Sequence, residues 1–210
     1  MPLSSQRVVA LLALHEQPVT RAYLAACLWP DVGEPRARGN LRSAIWRLSE
    51  PRRAFLEANG IYVRLHPDVE VDARELETTC RRVLRDPLHC TTGDMGFLIA
   101  PADLLQGWYE DWLVVEREHL RQLRLYALEA VCDACMQIGQ IGFAVEAGLA
   151  AVAEEPLRES AHRLLILAHA SRGNIGEAYL QYRSFHRLLR DELGLEPSVQ
   201  MQDLIRRLCT

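Results

Sequence analysis

The side chains best suited to chemistry in this sequence are arginines. Between Glu34 and Arg64 there are seven (Arg36, Arg38, Arg42, Arg47, Arg52, Arg53 and Arg64) against three acids, Glu34, Glu50 and Glu57. That local excess of +4 sits in a chain whose 24 basic and 28 acidic residues leave a net charge of −4. Every basic residue is Arg, so any side-chain cation offered to a phosphate or carboxylate is a planar guanidinium fork, able to bond two oxygens at once. The complete lack of Lys also excludes a Walker-type nucleotide loop, whose Lys reaches the phosphates.

Other chemistry is sparse. The seven His (15, 66, 89, 119, 162, 169 and 186) are scattered and form no HExxH metal motif. Ser171 and Ser184 sit in no nucleophile-elbow pattern, so nothing assembles the roles of an enzyme site. Cys132 and Cys135 are at i, i+3 within an apolar helical run. No second Cys or His pair stands at ligand spacing, so they read as buried free thiols of a reducing cytoplasm. Neither cofactor nor metal is expected, and the chain reads as no enzyme.

The arginines need elements to position them. An apolar share of 49% over 210 residues is enough to bury a core, and no apolar run approaches the ~18 residues of a membrane span. Ser4 or Ser5 is expected to cap a helix running to about His15, ended by Gln17-Pro18. Thr20 caps a second helix, Arg21–Leu28, with Tyr23, Leu24 and Leu28 as its buried stripe. A third, Arg36–Leu48, carries Leu41, Ala44, Ile45 and Leu48 at i, i+3, i+4, i+7. Asn59-Gly60 signals a turn, Ile61–Leu65 a strand, His66-Pro67-Asp68 a tight turn and Val69–Asp72 a second strand. Helix, turn, helix, loop, helix and hairpin is the order of a winged helix-turn-helix. Away from the apolar stripe, the third helix turns out Arg36, Arg38, Arg42, Ser43, Trp46 and Arg47, with Arg64 on the wing. Arg holds guanine O6 and N7 bidentately in a major groove, while Ser and Arg anchor phosphates.

Beyond residue 72 the chain reads as almost entirely helical: Ala73–Arg85, a loop over Asp86–Pro101, and helix again from after Gly107 to about Ile138. Gly139-Gln-Ile141-Gly142-Phe-Ala144 repeats as Gly173-Asn-Ile175-Gly176-Glu-Ala178, four identities at an offset of 34 residues, the tetratricopeptide period. The units are 121–154 and 157–190, and Ser198 caps a last helix through Leu208. The fold class expected is mainly α, with residues 1–72 a winged helix-turn-helix and 73–210 a tetratricopeptide-like repeat domain.

Four blocks in order carry a resemblance. They are Leu28-Trp29-Pro30-Asp31; Arg36-Ala-Arg38-Gly-Asn-Leu41-Arg42 with Trp46-Arg47-Leu48; Gly107-Trp108-Tyr109-Glu110-Asp111-Trp112 with Glu116-Arg117-Glu118; and Asp191-Glu-Leu-Gly194-Leu-Glu196-Pro-Ser198. Together they resemble the bacterial transcriptional activator family that includes the Streptomyces antibiotic regulatory proteins. The resemblance implies an OmpR-type winged helix followed by a tetratricopeptide-like activator domain. It also implies binding to direct repeats near promoters, contact with RNA polymerase, and dimerisation on those repeats. Family members place a small β-sheet ahead of their first helix, whereas here that helix starts by about residue 4. This departure supplies the alternative function, an adaptor that has lost DNA binding and holds a protein partner in its helical groove.

Overall fold

The computed structural model describes residues 1–48, 55–100 and 103–209. The described residues are mainly helical, with one small sheet. In order, α1 is Leu3–Ala13, β1 Val19–Thr20, α2 Arg21–Leu28, α3 Glu34–Trp46, β2 Leu56–Ala58 and β3 Tyr62–Leu65. Then follow α4 Asp72–Arg85, α5 Thr92–Ile99, α6 Asp111–Gln137, α7 Ile141–Glu154, α8 Glu159–Ser171, α9 Ile175–Leu193 and α10 Val199–Leu208. The chain divides into two compact units, one of residues 1–75 and 108–116, the other of 76–107 and 117–210.

In the first unit, helical periodicity did what it promised. Leu24 and Leu28 of α2, and Leu41, Ala44 and Ile45 of α3 with Leu48 just beyond it, are all buried. Val8, Leu11 and Leu12 of α1 join them, with Val63 and Leu65 of β3 closing the same core. Three expectations are corrected. Tyr23 lies outside the stripe and is exposed. Ser5 caps nothing; Pro2 is the N-cap of α1, and Ser5 is one turn in, fully buried, donating to the Ala44 carbonyl at 2.8 Å. The hairpin lies one strand earlier than expected: β2 pairs with β3 across the Asn59-Gly60 turn, while Val69–Val71 forms no strand. Asn59 explains the choice, because its Oδ1 accepts from the Ile61 and Tyr62 amides at 2.8 and 2.7 Å. Val69 and Val71 instead pack half-buried on the core, so their alternation reflects burial without strand pairing. The sheet has a third member that the sequence hid, β1, paired with β3 through Val19 and Val63.

In the second unit the segment expected as a loop, Asp86–Pro101, holds a short 3-10 turn at Pro87–His89 and all of α5. A capping box starts α5: the Asp94 amide donates to the Thr91 hydroxyl, and the Asp94 carboxylate accepts from the Thr91 amide. Two glycines, Gly93 and Gly96, disguised it. The repeat at 34 residues is visible in the backbone. Gly139 and Gly173 both adopt left-handed φ, +75° and +77°, each two residues before a helix begins. Ala144 and Ala178 are both buried one turn into those helices. The close approach of helices does not fall at the repeated glycines. Space around Gly142 and Gly176 is open, whereas a Cβ at Gly148 of α7 would stand 3.2 Å from Leu165 Cβ of α8.

Candidate nucleic-acid interface

The surface of interest is built on α3. Gly33 precedes it, Pro35 sits in its first turn where a missing amide costs nothing, and Glu34 complements the positive end of the helix dipole. With 3.6 residues per turn, burying Ala37, Leu41, Ala44 and Ile45 turns two rows outward. Arg38, Arg42 and Trp46 follow at i, i+4, i+8, beside Arg36, Ser43 and Arg47 at i, i+7, i+11. All six are exposed, and Trp46 keeps 72% of its surface. An indole that large left in solvent contributes nothing to the core and is available to a partner.

The electrostatics differ along these rows. Arg38 is held by Glu34 one turn earlier, at 2.5 Å on an open surface. Arg36, Arg42 and Arg47 make no ion pair among the described residues. Arg64 is directly opposite Glu57 in the β2–β3 register and donates to that carboxylate through Nε at 2.6 Å. Arg52 and Arg53 lie outside the described residues.

Arg38 and Arg42 line a groove of about 720 Å³ with Thr20, Arg21 and Ala22 on one side and Gly60 and Ile61 of the hairpin tip on the other. Arg64 lines a separate, smaller recess with Glu57, Asn59 and Tyr62. Arg21 is the residue that sequence reasoning missed. Its amide donates to the Ile61 carbonyl at 2.8 Å and its Nε to the Asn59 carbonyl at 2.9 Å. The start of α2, capped by Thr20, is thereby fastened to the hairpin turn. Its only sequence signal was its place directly after the cap. The groove brings three guanidiniums together against one carboxylate, Glu34, a set of donors suited to an anionic ligand.

Around α1 a further set of side-chain contacts uses conspicuous residues of the outlying blocks. Arg7 of α1 donates to Glu110 at 2.6 Å and lies over the Trp29 ring at 5.9 Å, while Trp112 Nε1 donates to the same Glu110 at 3.1 Å. Trp29 and Glu110, far apart in sequence, thus meet at one guanidinium, with Trp112 bonded to the same carboxylate. Arg74 donates to the carbonyls of Leu12, Ala13 and His15 at 2.6–2.8 Å, satisfying the open end of α1. In the second unit, Gly194 ends α9 with φ +66° and Ser198 caps α10 by accepting from the Met201 amide. Cys132 and Cys135 are buried in α6, where loss of water pushes the Cys132 thiol up to about 12 and that of Cys135 upward.

Over residues 100–209 the chain matches the family described as bacterial transcriptional activator domain. The regulatory protein AfsR of Streptomyces coelicolor is 27% identical over 216 residues, covering 99% of this chain and 22% of AfsR. AfsR of Streptomyces griseus is 33% identical over 93 residues, covering 44% of this chain and 10% of the relative. The chain therefore spans about a fifth or less of the length of these curated relatives. Among solved structures, Mycobacterium tuberculosis EmbR in complex with a low-affinity phosphopeptide matches with a TM-score of 0.72 at 21% identity, covering all of this chain and 59% of that one. That likeness establishes the fold. No helix among the described residues is long and apolar enough to cross a membrane.

Proposed function

The chain belongs to the bacterial transcriptional activator domain family, and from that premise we propose that it is a DNA-binding transcriptional activator. In this reading residues 1–72 form a winged helix-turn-helix, with α3 the recognition helix and β2–β3 the wing. Residues 73–210 form a tetratricopeptide-like activator domain. Double-stranded DNA is the ligand of the first part, direct repeats near promoters are the sites, and RNA polymerase is the partner contacted. Two copies side by side on a direct repeat are the assembly the reading calls for.

The observation that carries this reading is the division of α3 into a buried apolar face and an exposed face made of Arg36, Arg38, Arg42, Ser43, Trp46 and Arg47. A helix carrying exposed guanidiniums, a hydroxyl and an indole has the donors that read base edges and grip phosphates. Arg42 and Arg47, which make no ion pair among the described residues, are assigned to base or phosphate contact. Arg38 and Arg21 flank the groove beside the hairpin tip and are assigned to the backbone. Arg64 on the wing serves the backbone once released from Glu57.

The test is fluorescence anisotropy on duplexes tiled across the promoters next to the gene. The expected result is saturable binding to one duplex at low salt, with Arg42→Ala and Arg47→Ala each losing about 1–3 kcal/mol on that site. If no duplex is bound above background, or if both variants bind like the parent chain, the recognition-helix assignment is wrong.

A further inference from the structure

A second concavity lies wholly within the second unit, between α8 and α10. It has a volume of about 680 Å³ and is lined by Arg163 and Leu167 of α8 and by Gln200, Asp203, Leu204, Arg206 and Arg207 of α10. We propose that this groove docks an acidic peptide segment of a partner protein, one that alternates carboxylate and apolar side chains.

Three observations point to that occupant. The first is charge. The groove sets three Arg against one Asp, whereas the unit around it holds 14 Arg and 16 acids. Asp203 bonds Arg206 at 3.1 Å, and the hydrogen bond of Arg163 is to an uncharged amide, Gln200 Oε1, at 3.3 Å. Guanidiniums on both helices thus face the same space, and each can take a carboxylate with two parallel hydrogen bonds. The second is the apolar lining. Leu167 and Leu204 are one helical turn from Arg163 and Arg207 respectively, which places an apolar contact beside each cation. A peptide with alternating side chains matches both; a sugar–phosphate backbone has no apolar side chain to give Leu167 and Leu204.

The third observation is rigidity. Ser198, the N-cap of α10, donates to Glu159 of α8 through its amide at 2.9 Å and through its hydroxyl. On the inner side Met201 and Ile205 pack with Ile166 of α8 and Phe185 of α9, and Leu204 joins that core while its edge lines the groove. The two helices that wall the groove are therefore fixed to each other by the core beneath it, so a ligand has only the arginine side chains to order.

The experiment uses the whole chain and a short fluorescein-labelled peptide of alternating Glu and Leu, read by anisotropy. Three changes are each expected to weaken binding about tenfold or more: the double variant R163Q/R207Q, Leu167→Ser, and a peptide carrying Gln for Glu. Arg42→Ala, in the other unit, is expected to bind the peptide like the parent chain, so this result and that of the DNA test fail independently. Equal binding by R163Q/R207Q, or equal binding of the Gln peptide, overturns the proposal. So does displacement of the peptide by duplex DNA together with weaker DNA binding by R163Q/R207Q, which makes the groove a nucleic-acid surface.

Discussion

Arg64 shows how a partner one strand away sets what a side chain can do. Its guanidinium is engaged by Glu57, which faces it directly in the hairpin, and both are about 40% exposed. An exposed pair of this kind contributes little to stability, at most about 1 kcal/mol, so its main effect is to hold Arg64 against other anions. Glu57→Gln removes the competitor while keeping the side chain's shape. If the wing grips phosphate, this variant binds its promoter duplex several-fold more tightly in the anisotropy assay, and Arg64→Gln several-fold more weakly. Matched affinities for all three chains place the wing away from DNA. Asp94 is the opposite case, a buried carboxylate serving the fold. Hydrogen bonds from Arg82, then from the Thr91 backbone and hydroxyl, hold it well below its ordinary value of 3.8. A carboxylate more acidic folded than unfolded stabilises above the unfolded value, and that contribution is lost as pH falls through and below about 4. In urea melts Asp94→Asn is expected to be less stable than the parent by about 2 kcal/mol at neutral pH. The gap should narrow steadily below pH 4; a gap independent of pH contradicts the ion-pair account.

At the scale of elements, what was legible in the sequence depended on whether the deciding force was local. The existence of three amphipathic helices was legible because burial imposes a period of 3.6 that survives in one dimension: Leu41, Ala44 and Ile45 are inward as the spacing predicts, and their complement defines the candidate site, although Tyr23 of α2 and the cap of α1 were misassigned. The hairpin was misplaced because Val69 and Val71 alternate like a strand, although they only shield the core. With the wrong pairing, the Glu57–Arg64 contact was unreachable, since it exists only in the β2–β3 register. Arg21 was missed for a related reason, its groove being created when the chain folds back to Asn59 and Ile61. The repeat was legible because both copies need the same backbone. A left-handed residue without Gly costs roughly 1–2 kcal/mol, and Gly139 and Gly173 occupy that conformation. Gly139→Ala and Gly173→Ala should each lower stability by about 1 kcal/mol, additively because the sites are separate turns. Gly142→Ala and Gly176→Ala, on helical backbone with open space, should instead raise it by about 0.5 kcal/mol. Chemical denaturation of the four variants checks both signs; a loss at Gly142 or Gly176 means those positions touch something.

For the molecule as a whole the proposed function requires a chain of net charge −4 to approach a polyanion. Neither unit is basic in sum: the first holds 10 Arg and 12 acids, the second 14 and 16. Attraction to DNA then depends on where the charges stand, and the Arg of α3 stand with one carboxylate on the same helix, Glu34. Each phosphate neutralised on duplex DNA releases condensed counterion and adds about 0.9 to the steepness of log affinity against log salt. If Arg21, Arg36, Arg42 and Arg47 each grip a phosphate, joined by Arg38 once it leaves Glu34, the expected slope is about −3.6 to −4.5. A matched pair of variants separates local from total charge. Arg42→Gln and Arg183→Gln change the net charge equally, but Arg183 is an exposed residue of α9 with no part in the proposed interface. The first should flatten the slope by about one unit and the second leave it unchanged. An equal change for both would mean that DNA senses the overall charge of the chain, and α3 would lose its claim to be the reading element.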